Sequence, residues 1–594
     1  MDLKNVLNER FLDLLRSGDL YYEHEWMDYA EELYDFLISP DRVNLLESEE
    51  PVVREYAWKI FLSVATDEEI RMRKTGFLES LDMGANLWFK VNELLKNRIL
   101  TKQEILPFYG HRNEWVRYYA WIHVTPGVIT QRDLEPYRRR FLELLVSSDM
   151  SLRLNAWEGL LRLDKINVMK VTEGSRYRRG FIELLRSDNE RTFLIYADLL
   201  RGPARKDFLD LLGSDDPMVR ANAWYSLAKD ESYLELGMRW VGKLRELLSH
   251  PDHWIRIKAW TAFSTLVMMD LVTREETDIG LEELLEDPDL EIRIRAWVVG
   301  DQVLKTEEMM PHVNALMEVI RSGTLDWIDA IDLFNVQVLE PSDRVDMVRR
   351  YPEMLNEAFR EIFSELGVEG MEEILAEGDE RIWRELGREK PFKIRNEMRD
   401  SSFQGLVRKF LAHPNLRLRA MAWFHSARYL DARERTNFIP YLREIFSGDD
   451  EEAKIIAWRA IARKDNEINP RDFPGYVEVV IRHLDELPEV VVMLLREGLL
   501  SPVKVKGLKP EELVKRASKE DIIFLGKMGL LTGEDLMLIA KETADPELEI
   551  ALWNQFQELF EFRLEESLSY LLRFWEENRM EIMLVLMKIA RGKT

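Results

Sequence analysis

Apolar and polar positions follow each other along most of this chain with the period of an amphipathic helix. In the stretch around Arg153, the residues at positions −1, +3, +4 and +7 from that arginine are all apolar. At 100° per residue these positions fall on one face, and positions −2, +2 and +5 fall on the opposite face. Short turns containing Asp, Asn or Pro separate such stretches. The pattern therefore predicts a chain built of α-helices.

A short motif marks the apolar face of these predicted helices. An Arg or Lys is followed three residues later by Ala and then directly by Trp, and this happens eight times. The copies are Arg54/Ala57/Trp58, Arg117/Ala120/Trp121, Arg153/Ala156/Trp157, Arg220/Ala223/Trp224, Arg256/Ala259/Trp260, Arg293/Ala296/Trp297, Arg419/Ala422/Trp423 and Lys454/Ala457/Trp458. In the regular stretches neighbouring Trp residues are 35 to 37 residues apart, which is a period of stacked helical hairpins. Because the motif Trp lies on the apolar face, we expect it to be buried.

Each clear unit has the same order of parts. A first helix ends at a turn such as His250-Pro251-Asp252, the turn Asp caps a second helix, and the second helix carries the motif. This order resembles the HEAT repeat, and the Trp after Ala is an addition to that pattern. The resemblance implies an all-α fold, a right-handed α-solenoid of stacked antiparallel helix pairs in the armadillo-like class. It also implies that the second helices line the concave face and that the turn Asp and the helix Arg form a ladder.

The distribution of the motif divides the chain into five predicted regions. An acidic helical cap over residues 1–45 is followed by a repeat array over 46–320, in which Tyr196 stands where a Trp would fall. Residues 321–405 lack the motif and are diverged repeats or an insertion, with helices over 354–366 and 371–386 and a hinge near 387–400. Repeats return over 406–470. Residues 471–594 form a C-terminal helical region and cap, with helix ends at Gly498 and Gly529 and a weak last copy at Trp553.

Composition narrows the classes of function. A chain of 594 residues is too long for one hydrophobic core, which favours an extended array. The absence of Cys excludes disulfides, thiolate metal sites and Cys nucleophiles. The sequence has no apolar run of about 18 residues and no signal-peptide pattern at its start, so we expect a cytoplasmic protein without a membrane partner. Charged residues make up 32% of the chain and are rich in Glu, Lys and Arg, which is typical of thermophile surfaces.

Charge is negative overall and unevenly distributed. The formal net charge is −26, which disfavours a nucleic-acid partner. Residues 1–50 carry 4 basic and 14 acidic residues, whereas residues 131–210 carry 16 basic and 13 acidic residues. A candidate strip for an anion or an acidic partner lies in the second of these segments: Arg138, Arg139, Arg140, Arg178, Arg179, Arg205 and Lys206. The alternative is that these cations pair with nearby acids such as Asp133, Glu135 and Glu173.

The helix face opposite the apolar one is a candidate for binding a protein or peptide. Its positions carry many Trp, Tyr, Met and Arg residues, which are enriched at interfaces. The candidate residues are Trp115, Tyr119, Asn155, Met218, Asn222, Tyr225, Trp254, Lys258, Arg295, Arg417, Met421 and Phe424. The alternative is that neighbouring helices cover some of these side chains.

Sequence motifs for catalysis are absent. There is no Walker loop, dinucleotide fingerprint, zinc-protease helix or nucleophile elbow. His250 and His413 stand before Pro in repeat turns and are expected to form the turns, and His24 between two Glu residues is disfavoured as a metal ligand. No cofactor, metal or small-molecule substrate is indicated. We therefore expect a non-enzymatic scaffold or adaptor, with a nucleic-acid-associated protein or a non-catalytic subunit of an enzyme complex as the alternatives.

Overall fold

The computed structural model describes residues 3–17, 30–39, 42–124, 127–273, 280–388, 392–399, 401–505 and 508–592. Helices connected by turns account for the secondary structure of these residues, and they contain no β-strand. The all-α prediction is confirmed. His24, and Lys390 and Pro391 of the predicted hinge, lie outside the described residues.

The chain divides into two compact units. The N-terminal unit comprises residues 11–316, and the C-terminal unit comprises residues from 317 onward together with those before Phe11. The five regions predicted from the motif stay predictions.

The helices up to the division are mostly short in the first half of each repeat and longer in the second. The α-helices are Leu3–Ser17, Ala30–Leu37, Pro51–Val64, Asp67–Met72, Lys74–Asp82, Trp88–Lys96, Lys102–Ile105, Glu114–Ile122, Gln131–Leu134, Arg138–Leu142, Met150–Lys165, Arg178–Arg186, Glu190–Arg201, Arg205–Phe208, Pro217–Ala228, Val241–Arg245, His253–Met268, Leu290–Val303, Thr306–Met309 and Val313–Arg321. Segments of 3₁₀-helix complete many first helices, among them Val43–Glu47, Leu106–Gly110, Glu143–Val146, Leu209–Gly213 and Glu282–Glu286.

The C-terminal unit continues with helices of similar length. They are Trp327–Phe334, Pro341–Arg350, Met354–Glu357, Phe359–Ala376, Glu380–Gly387, Phe392–Glu397, Ser401–Leu411, Leu416–His425, Ala432–Thr436, Ile439–Ser447, Glu451–Ala462, Val477–Arg482, Pro488–Arg496, Pro510–Arg516, Lys519–Lys527, Gly533–Glu542, Pro546–Gln555, Gln557–Phe562, Leu564–Leu572 and Arg579–Gly592.

Within each unit the second helices of successive repeats pack side by side. In the N-terminal unit the row contains Glu114–Ile122, Met150–Lys165, Glu190–Arg201, Pro217–Ala228, His253–Met268 and Leu290–Val303. In the C-terminal unit the row contains Trp327–Phe334, Met354–Glu357, Glu380–Gly387, Leu416–His425, Glu451–Ala462, Pro488–Arg496, Lys519–Lys527, Pro546–Gln555 and Arg579–Gly592. Stacked helix pairs are the architecture that the HEAT resemblance implies. The row passes through residues 327–387 without a gap. That residues 321–405 are diverged repeats or an insertion stays a prediction.

All eight motif Trp residues are buried, as predicted. In the six copies of the N-terminal unit the indole N–H donates to the backbone carbonyl twelve residues earlier, at 3.0 to 3.1 Å. In Trp260, for example, Nε1 donates to the carbonyl of Leu248 at 3.0 Å. That carbonyl stands at the end of the first helix, where no partner within the helix is available. The Trp therefore fills the layer between helices and also satisfies an orphan acceptor, which Leu or Phe could not do.

The motif Arg and the turn Asp have separate roles. Asp252 caps its helix by accepting from the backbone N–H groups of Trp254 and Ile255. Arg256 donates to the carbonyl of His250 at 2.9 Å and to the carboxylate of Glu283, in the next repeat, at 2.7 Å. The same two kinds of bond are made by Arg153 with Ser147 and Glu183, and by Arg419 with His413 and Glu444.

The expected ladder is therefore corrected. Its cross-repeat pairs join the motif Arg to a Glu, because the turn Asp is occupied by the helix N-terminus. The turn histidines behave as predicted, since Nδ1 of His250 accepts from the backbone N–H of Asp252, and Nδ1 of His413 from that of Asn415, both at 3.1 Å.

Several predicted helix ends are confirmed, and two predicted helices are each interrupted once more than expected. Gly498 and Gly529 follow helix ends with φ of 69° and 68°, a backbone region that favours glycine. The breaks predicted at Gly367 and Gly387 are found: the helical stretch Phe359–Ala376 is interrupted at Gly367 (φ 63°, ψ −168°), and Glu380–Gly387 ends at Gly387. The helices expected over 354–366 and 371–386 each have one further break, after Met354–Glu357 and at Gly378 (φ 72°), which lies in the turn before Glu380–Gly387.

Candidate protein-binding groove

The face predicted to bind a partner is only partly accessible. Asn222, Lys258 and Met421 are buried, so their prediction as surface contacts is wrong. Each occupies position +2 from its motif Arg. In the repeats of Asn222 and Lys258 this position meets the neighbouring second helix, since Nζ of Lys258 donates to Oδ1 of Asn222, 36 residues earlier, at 2.9 Å. A two-sided view of the helix, with one buried and one solvated face, omits these lateral contacts.

The other predicted residues lie at the surface. Arg417 is exposed, and the following are partly exposed: Trp115, Tyr119, Asn155, Met218, Tyr225, Trp254, Arg295 and Phe424. Several of these residues join one repeat to another. Trp115 Nε1 donates to Asp149 at 3.1 Å, Arg295 donates to the Tyr225 hydroxyl at 3.4 Å, and Arg417 pairs with Glu452 at 2.9 Å. Whether a partner contacts them stays a prediction.

A groove opens beside three of the second helices of the N-terminal unit. It is formed by Glu114–Ile122, Met150–Lys165 and Glu190–Arg201, and its volume is about 510 Å³. The residues that line it are Tyr118, Ile122, Glu158, Gly159, Leu161, Arg162, Lys165, Arg191, Leu194, Ile195 and Asp198. Leu194 is 62% exposed, which makes it a prominent apolar side chain at this surface.

Part of the predicted face adjoins this groove. The ring of Tyr118 lies 5.9 Å from that of Trp115 and 5.6 Å from that of Tyr119, so the groove wall continues into an aromatic cluster. On the other side, Arg191 donates to Oδ1 of Asn155 at 2.8 Å and also pairs with Glu158. Three predicted residues, Trp115, Tyr119 and Asn155, therefore border the groove.

The groove has one cation that the described residues leave without a carboxylate. Glu158 is paired with Arg191, and Asp198 pairs with Arg201 at 3.0 Å and Lys165 at 3.8 Å. Arg162 is exposed and has no such partner within the described part of the chain. Arg162 also affects a neighbouring side chain. Burial, together with the positive charge of Arg162, lowers the pKa of His123 to about 4.

The tyrosine of the groove stays neutral. Burial, followed by the negative charge of Glu158, raises the pKa of Tyr118 to about 12. Its hydroxyl therefore keeps its proton at neutral pH, and the side chain offers an apolar ring with a polar tip, as is common at interfaces.

The basic strip is largely neutralised by its own surroundings. Arg178 makes two bonds to Asp210 at 2.6 and 3.0 Å, and Arg138 lies 3.4 Å from Glu135. The remaining contacts join Arg138 to Glu173, Arg139 and Arg140 to Glu143, Arg179 to Glu183 and Arg205 to the carbonyl of Leu200. Of the seven cations, Lys206 alone has no partner among the described residues. The pairing alternative thus accounts for most of the strip.

The described ranges contain no group of three or more His, Asp and Glu side chains placed to hold a metal ion. They also contain no helix that is long and apolar enough to cross a membrane.

The groove itself was missed by sequence reasoning. Its walls come from positions +1 and +5 of the Arg117 repeat, from positions +5 to +12 of the Arg153 repeat, and from the repeat in which Tyr196 replaces Trp and Thr192 replaces the motif Arg. The available signal was Leu194 in that irregular copy, an apolar residue two positions after Thr192, where neighbouring repeats carry Asn155 and Asn222.

Comparison with known proteins gives structural neighbours only. No family model and no curated protein matches the chain. It is similar to a chain in a homology model of the full-length AP-3 complex in an intermediate open conformation (15% identity, TM-score 0.32, 99% of each chain covered). It is also similar to Kap121p in its crystal structure bound to Pho4p (11% identity, TM-score 0.31, covering 95% of this chain and 71% of that one) and to an engineered protein (16%, 0.21, 62% and 99%). These scores are low, so the architecture rests on the helices and contacts described above.

Proposed function

We propose that this protein is a non-enzymatic scaffold that binds a segment of another protein in the groove between Glu114–Ile122, Met150–Lys165 and Glu190–Arg201. The observation that carries the proposal is an exposed apolar anchor, Leu194, in the same groove as an unpaired cation, Arg162. Apolar anchors beside Tyr and Arg side chains are typical of the centres of protein interfaces.

The chemistry of the groove specifies what the bound segment should contain. Leu161, Leu194 and the ring of Tyr118 offer apolar surface, which favours a Leu, Ile or Phe side chain on the partner. Arg162 favours a carboxylate, because a guanidinium binds a carboxylate through two parallel hydrogen bonds. The partner segment therefore carries an apolar residue close to an Asp or Glu.

A selection from a displayed peptide library tests this proposal. The full chain is immobilised, bound peptides are enriched and sequenced, and the affinity of the best peptide is measured for the parent and for Leu194→Glu. We expect enriched peptides to combine an apolar residue with an acidic one. Leu194→Glu should weaken their binding by about tenfold or more, because it places a charge on the apolar wall.

The matched control introduces the same charge elsewhere. Phe562 is 85% exposed and belongs to the C-terminal unit, so Phe562→Glu should leave peptide affinity unchanged. If the peptides bind the Leu194→Glu variant as tightly as they bind the parent, the binding surface lies outside this groove.

A second pair of variants separates this proposal from nucleic-acid binding. Arg162→Glu should weaken acidic peptides, whereas Lys206→Glu on the basic strip should not. The nucleic-acid alternative expects the reverse sensitivity in a gel-shift assay with short duplex DNA, with a strong dependence on salt. The ion pairs along the strip argue against that alternative.

A further inference from the structure

A second cleft, in the C-terminal unit, is lined by four arginines and a single carboxylate. Its volume is about 530 Å³, which is in the range of small-ligand sites. The residues that line it are Gly387, Arg395, Arg399, Arg428, Tyr429, Arg463 and Asp465. Such a concentration of positive charge is unexpected in a chain whose formal net charge is −26.

The repeat period brings two of these arginines together. Arg428 and Arg463 each follow their motif Trp by five residues, so they occupy equivalent places at the ends of neighbouring second helices. A cation near a helix C-terminus is favourable by itself, which accounts for one charge on each helix. It does not account for Arg395 and Arg399, which come from the segment before Ser401 and face the same cleft.

The one carboxylate of the cleft is shared. Arg463 donates to both oxygens of Asp465, at 3.0 and 2.9 Å, and Arg428 lies 3.2 Å from the same carboxylate. Arg399 is exposed and has no carboxylate partner among the described residues. Asp465 therefore acts as an internal anion for Arg463 and Arg428, and it leaves Arg399 without a counter-charge in the described part of the chain.

The wall of the cleft is held in place by close packing. Tyr429 is buried and its hydroxyl donates to the carbonyl of Leu386 at 3.1 Å. Gly387 lies against His425, where a Cβ on residue 387 would be 2.5 Å from Nδ1 of the ring. Burial, with Arg463, Arg384 and Arg428 adding to it, lowers the pKa of His425 to about 3, so this ring is neutral and adds no charge.

We infer that this cleft binds a small molecule that carries phosphate groups. Several planar guanidinium groups that converge on one space match the tetrahedral oxygens of phosphate through paired N–H donors. A ligand carboxylate in the same cleft would bind less strongly than a phosphate, because it offers fewer oxygens and less negative charge. The small size follows from the volume of the cleft and from the acidic remainder of the chain, which repels long polyanions.

Calorimetric titration of the full chain with inorganic tripolyphosphate tests the inference. We expect saturable binding with one site per chain, measured at 150 mM salt (about the physiological value) so that diffuse charge attraction is screened. Arg399→Glu should weaken this binding by about tenfold or more. The matched control is Arg139→Glu, which makes the same charge change at an exposed side chain outside the cleft and should leave the affinity unchanged.

A second variant predicts an effect of opposite sign. Asp465→Asn removes the internal carboxylate and frees Arg428 and Arg463 for the ligand, so tripolyphosphate should bind several-fold more tightly. Loss of folding cannot produce tighter binding, and circular dichroism melts of each variant verify the fold.

Three results would overturn the inference. These are the absence of saturable heat with the parent chain, equal weakening by Arg399→Glu and Arg139→Glu, and tighter binding of a 20-nucleotide DNA than of tripolyphosphate. Unaltered or weaker binding by folded Asp465→Asn would contradict the geometric argument for the cleft.

Discussion

The helices His253–Met268 and Pro546–Gln555 begin alike and differ at one buried position. Each is capped by an Asp, Asp252 or Asp545, and each buries a Trp eight residues after that Asp. Four residues before the Trp, the first helix has Arg256 and the second has Glu549. In the first helix the indole N–H of Trp260 reaches the carbonyl of Leu248, and in the second that of Trp553 donates to Glu549 at 3.2 Å.

In these two repeats the motif position is buried, whether it holds Arg256 or Glu549. Arg256 is satisfied there because backbone carbonyls and Glu283 surround its guanidinium. Glu549 has no exposed surface, and its Oε2 has no hydrogen-bond partner among the described residues. Burial, opposed by the charge of Arg573, raises the pKa of Glu549 to about 8. The same fold position thus holds a paired cation in one repeat and a neutral acid in another.

The largest loss of stability is expected from removing the buried Trp that both helices contain. Trp260→Ala should lower the free energy of unfolding by roughly 3 to 5 kcal/mol, because it leaves a cavity in the layer between repeats. Hydrogen exchange of the backbone of His253–Met268 measures the loss locally. Trp327→Ala is the control, since Trp327 is 42% exposed and should cost less than about 1 kcal/mol. Equal losses in the two variants would contradict the assigned role of Trp260.

The dependence of stability on pH distinguishes the repeat that holds Glu549 at the motif position from the repeat that holds Arg256. The pKa of Glu549 is near 4.5 in the unfolded chain and about 8 in the folded one, so folding favours the protonated carboxyl. Its stabilising contribution is complete below about pH 4.5 and is lost as pH rises through 8. We expect Pro546–Gln555 to lose on the order of 2 to 4 kcal/mol of protection over this range.

The Glu549→Gln variant should abolish this pH dependence. Glu542→Gln, an exposed change in the preceding helix, should retain it. Hydrogen exchange corrected for intrinsic rates at each pH is the measurement, and a pH-independent parent would show that Glu549 is ionised.

Replacing Trp260 by Phe removes the hydrogen bond while keeping most of the aromatic packing. The carbonyl of Leu248 loses the indole N–H, which costs about 1 to 3 kcal/mol for an unsatisfied buried acceptor, and the smaller ring adds a packing loss below that of the Ala variant. Denaturant unfolding of Trp260→Phe and Trp260→Ala side by side compares this loss with that of the full cavity. A Phe variant as stable as the parent would mean that the bond contributes nothing.

The smallest change in stability is expected at Thr192, which takes the place of the motif Arg four residues before Tyr196. It is buried, and its hydroxyl has no hydrogen-bond partner among the described residues. Thr192→Val keeps the shape and removes the polar atom, so stability should rise by about 1 kcal/mol or less. A clear loss on thermal unfolding would reveal a partner for this hydroxyl.

The sequence predicted those features that depend on one helix and its own turn. The apolar face, the buried Trp, the buried Tyr196 and the turn histidines all follow from local periodicity and capping chemistry. The buried position of Lys258, the groove at Leu194 and the arginine cleft depend on how neighbouring repeats stand beside each other. Local periodicity does not carry that information, because the residue that lies beside a given side chain in the next repeat is about 36 residues away in the sequence.

In the N-terminal unit the repeated bond between an indole N–H and the carbonyl twelve residues earlier places a measurable proton in each motif-bearing repeat. An indole proton held this way exchanges with deuterium from the solvent only when its helix pair opens. The six protons of this kind belong to Trp58, Trp121, Trp157, Trp224, Trp260 and Trp297. In a ¹⁵N-labelled sample their exchange rates would chart, repeat by repeat, where opening starts and how far it spreads along the array.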